Sequence, residues 1–93
     1  MPTPVYVFKR TPQFKRAFDS LSVEDQKAAK EAFKKFKVNP FDPALKPHKI
    51  NRLTALRKTT VYSIAIKGNL RATFTTSGNC IISEDIGTHD IYK

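Results

Sequence analysis

Val61-Tyr62-Ser63-Ile64-Ala65-Ile66-Lys67-Gly68-Asn69-Leu70-Arg71-Ala72-Thr73-Phe74-Thr75-Thr76-Ser77-Gly78-Asn79-Cys80-Ile81-Ile82-Ser83-Glu84-Asp85 is the stretch that decides the fold. Gly-Asn occurs at 68–69 and again at 78–79, as Lys67-Gly68-Asn69 and Ser77-Gly78-Asn79. Between these turn signals, apolar and polar residues alternate. A period of two marks half-buried strands, and turns this short join antiparallel neighbours. Three strands are expected, at about Lys58–Ile66, Leu70–Thr76 and Cys80–Asp85. Tyr62, Ile64 and Ile66 share one face with Leu70, Ala72 and Phe74, while Ser63, Arg71, Thr73, Thr75, Ser83 and Asp85 take the other. Ile81 breaks the alternation. One face should therefore pack on helices, leaving the other open, polar and lined with cations.

The helices lie upstream. Val5 to Arg10 reads as a first strand, followed by Thr11 as an N-cap and Pro12 at the first helical position. Phe14, Ala17, Phe18 and Leu21 then form one apolar face. Ser22 caps a second helix, with Glu24 and Asp25 in its first turn and Asn39-Pro40 at its end. That helix should bury Ala29, Ala32, Phe33 and Phe36 and expose Lys27, Lys30, Lys34 and Lys37, with Glu31 and Lys35 as a supporting pair. The short break between the helices implies a hairpin. A proline-punctuated connector, Pro40 to Pro47, leads to His48-Lys49-Ile50. The expected fold is α+β in two layers, a helical hairpin on a small, mainly antiparallel sheet in the order β-α-α-β-β-β. It forms one domain over residues 1–93.

Seventeen Lys and Arg against eight Asp and Glu give a formal net charge of +9, which points to a polyanionic partner. No run approaches a membrane span, and the N-terminus lacks a signal-peptide layout. Cys80 is the sole cysteine, which rules out an internal disulfide and fits a reducing cytoplasm. With one cysteine and two separated histidines there is no zinc pattern, and three glycines supply no phosphate loop, so neither metal nor cofactor is expected.

The closing run Asp85-Ile86-Gly87-Thr88-His89-Asp90-Ile91-Tyr92 sets one of the two histidines among carboxylates and a tyrosine. Histidine titrates near neutrality and suits acid or base work, and Asp85 or Asp90 would orient the ring. Its alternative is a surface histidine at a frayed terminus. Tyr92 would stack on a base, or else anchor the core. His48 and Lys49, with Lys46, Arg52, Arg57 and Lys58 nearby, form a cationic loop at the sheet edge suited to a phosphate backbone, although a histidine beside proline also serves structure. Arg71, mid-strand on the polar face, must find a carboxylate such as Asp85 or receive a ligand phosphate. Together these groups suit RNA cleavage by its own 2′-hydroxyl, which needs a base, an acid and cations but no metal.

Nearly the whole chain resembles the RelE/ParE superfamily of bacterial toxins from toxin–antitoxin modules. The similar features are the first strand, the helices ending in Asn39-Pro40, Leu45…His48-Lys49-Ile50, Val61-Tyr62-Ser63-Ile64, Arg71-Ala72-Thr73-Phe74 and the closing run through His89. Gly87-Thr88-His89 looks most like the YafQ-type branch. The resemblance implies a cytoplasmic endoribonuclease cutting messenger RNA on the ribosome, and an antitoxin folding over its active face. By position it implies His89 as main acid or base, His48 with Lys49 on the phosphate, Arg71 stabilising the transition state and Tyr92 as the family aromatic. Two positions depart from that branch: Ser63, near a family histidine, and Asp90, where serine is usual. A gyrase-directed toxin without acid–base groups, and a weakened relative that only binds RNA, remain as alternatives.

Overall fold

Both Gly-Asn turns close as two-residue loops in the computed structural model, which describes residues 5–51, 54 and 59–88. Gly68 and Gly78 take φ of +49° and +59°, and neither following asparagine has positive φ. This is the pattern of a hairpin turn with glycine first, where a side chain would be strained by the backbone alone. The turns connect β3 (Val61–Lys67), β4 (Leu70–Ser77) and β5 (Cys80–Gly87) in antiparallel register. β1 (Val7–Arg10) pairs in parallel with β5, and a two-residue strand β2 (His48–Lys49) pairs with β3. The sheet order is β1-β5-β4-β3-β2. The short edge strand β2 and the parallel placement of β1 go beyond what turn signals reveal, because both pair across long stretches of sequence.

Thr11 caps α1 (Pro12–Asp19) by accepting from the Phe14 amide at 3.0 Å, and Ser22 caps α2 (Val23–Val38) by accepting from Asp25 at 3.1 Å. Gln26 of α2 donates to the carbonyls of Phe18, Asp19 and Leu21, tying the start of α2 to the turn where α1 stops. One chain of rings joins the layers: Phe14 meets Phe33, Phe33 meets Phe36 and Phe36 meets Phe74, at 5.6, 5.2 and 5.0 Å, all edge-to-face. Phe36, Ile64, Phe74 and Ile81 are almost wholly buried at its centre.

Several expectations need correction. The sheet face opposite the helices is not open: Ser63, Thr73 and Thr75 are 0–4% exposed, beside a buried Val61. Polar parity marked hydrogen-bonding capacity rather than exposure, since a small hydroxyl is tolerated inside once it is bonded. Among the described residues, no buried side-chain polar atom lacks a partner. Ser83 lies on the helix face, opposite Phe74, because a bulge at Glu84 resets the register so that Asp85 pairs with Thr73. The irregularity at Ile81 belongs to this bulge. Glu31 pairs with Lys34 at 3.0 Å, one residue nearer than the expected Lys35. The first strand starts at Val7 rather than Val5, and the third at Val61.

Candidate functional site

His48 is delivered by a short structured turn. Asp42 accepts from the Ala44 amide at 2.9 Å and starts a 3-10 turn over Pro43–Leu45, which Leu45 anchors in the core. Lys46 closes it in the left-handed region, φ 50° and ψ 53°, and Pro47 leads directly into β2. The His48 ring is exposed, with Nδ1 3.4 Å from the Lys46 carbonyl oxygen. A proton on Nδ1 would donate to that oxygen and leave Nε2 as a free lone pair, the form a base requires.

Register then sets the neighbours. His48, Ser63, Thr73 and Asp85 form one cross-strand row over β2, β3, β4 and β5. Ala65, Arg71 and Gly87 form the row beyond it on the same face. With strands about 4.8 Å apart and residues about 3.4 Å along each, the His48 and Arg71 backbones are roughly 12 Å apart. Two long side chains can bridge that span around one phosphate. Lys49 pairs with Tyr62, so it falls on the opposite, helix-bearing face from His48. The two neighbours are therefore split by strand alternation.

Arg71 is half-buried and bends back on its own hairpin, donating from Nη1 to the carbonyls of Gly68 at 2.6 Å and Leu70 at 3.1 Å. It has no carboxylate partner among the described residues. Asp85 is engaged elsewhere: Oδ2 accepts from Gln13 of α1 at 3.1 Å and Oδ1 from the Ile86 amide at 2.9 Å. Of the two fates open to Arg71 in the sequence, pairing with Asp85 is the one the structure lacks. Glu84 was missed. The bulge turns it onto the face of Thr75, whose hydroxyl donates to Oε2 at 2.9 Å. The broken alternation around Ile81 and Ile82 was its only sequence signal.

Lys46 is exposed beside His48. His89, Asp90, Tyr92, Arg52, Arg57 and Lys58 lie outside the described residues, so their part in the site is not placed. Among the described residues, no group of three or more His, Cys, Asp or Glu is arranged to hold a metal ion, and no helix is long and apolar enough to cross a membrane.

No family model matches the sequence, and no curated protein is significantly similar to it. Solved structures do share its fold. A chain of the archaeal RelE–RelB complex from Pyrococcus horikoshii OT3 superposes with a TM-score of 0.69 at 14% identity, covering 90% of this chain and 94% of that one. The YoeB dimer from Staphylococcus aureus gives 0.64 at 22% identity, covering 91% and 98%. A chain of the E. coli DinJ–YafQ complex gives 0.62 at 12% identity, covering 92% and 96%. The fold is thus the two-layer α+β architecture of the RelE, YoeB and YafQ type, matched over nearly the full length of each.

Proposed function

We propose that this chain is the toxin of a toxin–antitoxin pair, a cytoplasmic endoribonuclease that cuts messenger RNA on the ribosome and stops translation. The observation that carries the reading is the register, which sets His48 and Arg71 on one face with Arg71 opposite Gly87. His89 follows Gly87 by two residues, a tether that reaches at most about 7 Å. A base at one histidine takes the 2′-hydroxyl proton, and the freed oxygen attacks the adjacent phosphorus. The bond to the 5′ oxygen breaks, and the other histidine donates the proton that oxygen needs. The products are a 2′,3′-cyclic phosphate and a 5′-hydroxyl. Arg71, with no carboxylate partner among the described residues, offsets the charge that builds on the phosphorane. Lys46, Arg52, Arg57 and Lys58 hold the flanking backbone, Asp90 orients a ring, and Tyr92 stacks on a base. An antitoxin covers this face, as RelB and DinJ accompany RelE and YafQ.

Ser63, wholly buried in the position opposite His48, favours a second reading in which cleavage is weak and RNA binding dominates. One experiment separates the two. The chain is added to ribosomes carrying a defined message, and ends are mapped by primer extension. Cleavage that disappears when the scissile nucleotide is 2′-deoxy supports the toxin nuclease. Intact message with salt-sensitive binding supports the second reading.

A further inference from the structure

We propose that Gln13 of α1 is a positioning residue for the RNA site: it holds the Asp85 carboxylate off Arg71, so that the guanidinium stays available to a phosphate. Resting on the nuclease reading only for the identity of the anion, this role follows otherwise from the sheet register. Thr73 pairs with Asp85 and Arg71 with Gly87, so Arg71 and Asp85 are diagonal neighbours on one face. Such positions lie about 7–8 Å apart, within reach of an arginine and a carboxylate. Gly87, opposite Arg71, puts no side chain between them. The extra residue at Glu84 creates this juxtaposition. With unbroken pairing beyond Phe74 and Ser83, Asp85 would fall opposite Ala72, on the helix-bearing face.

The two charges nonetheless do not meet. Arg71 turns toward the β3–β4 loop, donating from Nη1 to the carbonyls of Gly68 and Leu70. Asp85 has both oxygens engaged by neutral donors, Oδ2 by the Gln13 side-chain amide at 3.1 Å and Oδ1 by the Ile86 amide at 2.9 Å. The Ile86 bond is local to the strand, whereas the Gln13 bond reaches in from another element. The helix start places Gln13 for it. The Thr11 amide donates to the Ser83 carbonyl at 3.0 Å and the Thr11 hydroxyl to the Glu84 carbonyl at 3.1 Å, which pins the first turn of α1 along β5. A hydrogen bond to a carboxylate outweighs an ion pair that water screens, so one neutral amide suffices to set where Asp85 points. Once that amide is removed, Arg71 is the cation within reach on the same face, and a carboxylate fits a guanidinium as a phosphate does. Asp85 is thus an internal competitor for the anion, and Gln13 keeps it out of the site.

The test compares the whole parent chain with Gln13→Leu, Gln13→Ala, and Gln13→Leu combined with Asp85→Asn. Gln13 is exposed, so the single substitutions should leave the melting temperature near that of the parent. Two measurements need no cleavage. The guanidinium nitrogen resonances of Arg71 should shift in both single variants and return in the double variant. The salt slope of binding to a single-stranded RNA oligonucleotide should fall by about 0.7, one phosphate contact, and recover in the double variant. Cleavage of a defined transcript should drop and return in step with that slope. Recovery on removing a second charge is an outcome that a merely structural Gln13 would not produce. The proposal is overturned if the Arg71 resonances are the same in the parent and the single variants, or if the slope keeps its parent value. A double variant as impaired as Gln13→Leu overturns it as well. A parent chain that cleaves no RNA removes the nuclease reading alone, since the resonances and the slope still report on Gln13.

Discussion

Histidine at 48 is exposed, with Nδ1 near the Lys46 carbonyl oxygen, so its removal should leave folding untouched. His48→Ala and His89→Ala are each expected to slow RNA cleavage about 10²–10⁴-fold, measured on a defined transcript, with the melting temperature of His48→Ala unchanged. Retained cleavage in both would remove acid–base chemistry from the reading. Arg71 illustrates what a lone residue type conveys. A mid-strand arginine demands a partner, and the sequence offered Asp85. The carboxylate instead faces Gln13 on α1, a contact between residues 72 positions apart that no local pattern encodes. Thr11 has a comparable double life. It caps α1 and its hydroxyl donates to the Glu84 carbonyl at 3.1 Å. Thr11→Ala should therefore destabilise by about 1–2 kcal/mol, more than Ser22→Ala at an exposed cap, about 1 kcal/mol or less. Chemical denaturation compares them, and equal losses would show that the Glu84 bond adds nothing.

At the level of elements, the hairpins rest on backbone geometry. An added Cβ at Gly68 or Gly78 would meet nothing within 4 Å, so only the positive φ opposes it. Gly68→Ala and Gly78→Ala should each cost about 1–2 kcal/mol in denaturant unfolding with the core unaltered. A much larger loss would mean the turn packs against something. The helices were legible because capping and 3.6-residue periodicity are local, and the bulge at Glu84 was not, because it follows from fitting two strands together. Its consequence is which side chains share a face. It moves Ser83 to the helix face, keeps Asp85 opposite Thr73 and aims Glu84 at Thr75. The two-residue strand β2 was likewise invisible as a strand, being too short to show alternation, although His48-Lys49 stood out as chemistry.

Across the whole molecule, packing and charge pull in separable directions. Phe36 joins α2 to the sheet through Phe8 and Phe74 and packs on Phe33 of its own helix. Phe36→Ala should destabilise by about 3–5 kcal/mol, a large share of the roughly 5–14 kcal/mol available to a domain this size. A loss under about 1 kcal/mol in calorimetry would contradict the ring chain as the core. For RNA, the net charge of +9 makes binding salt-dependent. Log affinity should fall with log salt by about 0.7 per phosphate contacted. Lys46→Ala and Arg71→Ala should each reduce that slope by about 0.7, while Lys27→Ala, near the start of α2, should not. A slope unchanged by the first two would place the RNA elsewhere.

Strand alternation, two glycine turns, helix caps and an excess of cations were enough to define an α+β fold with a basic surface, because each depends on neighbours a few residues apart. Which cations and imidazoles share a face was decided by the folded sheet. Pairing β2 with β3 and inserting one extra residue at Glu84 are long-range choices. They separate Lys49 from His48, bury the hydroxyl row and leave Arg71 without its expected carboxylate, since a single-residue shift in register exchanges the two faces of a strand.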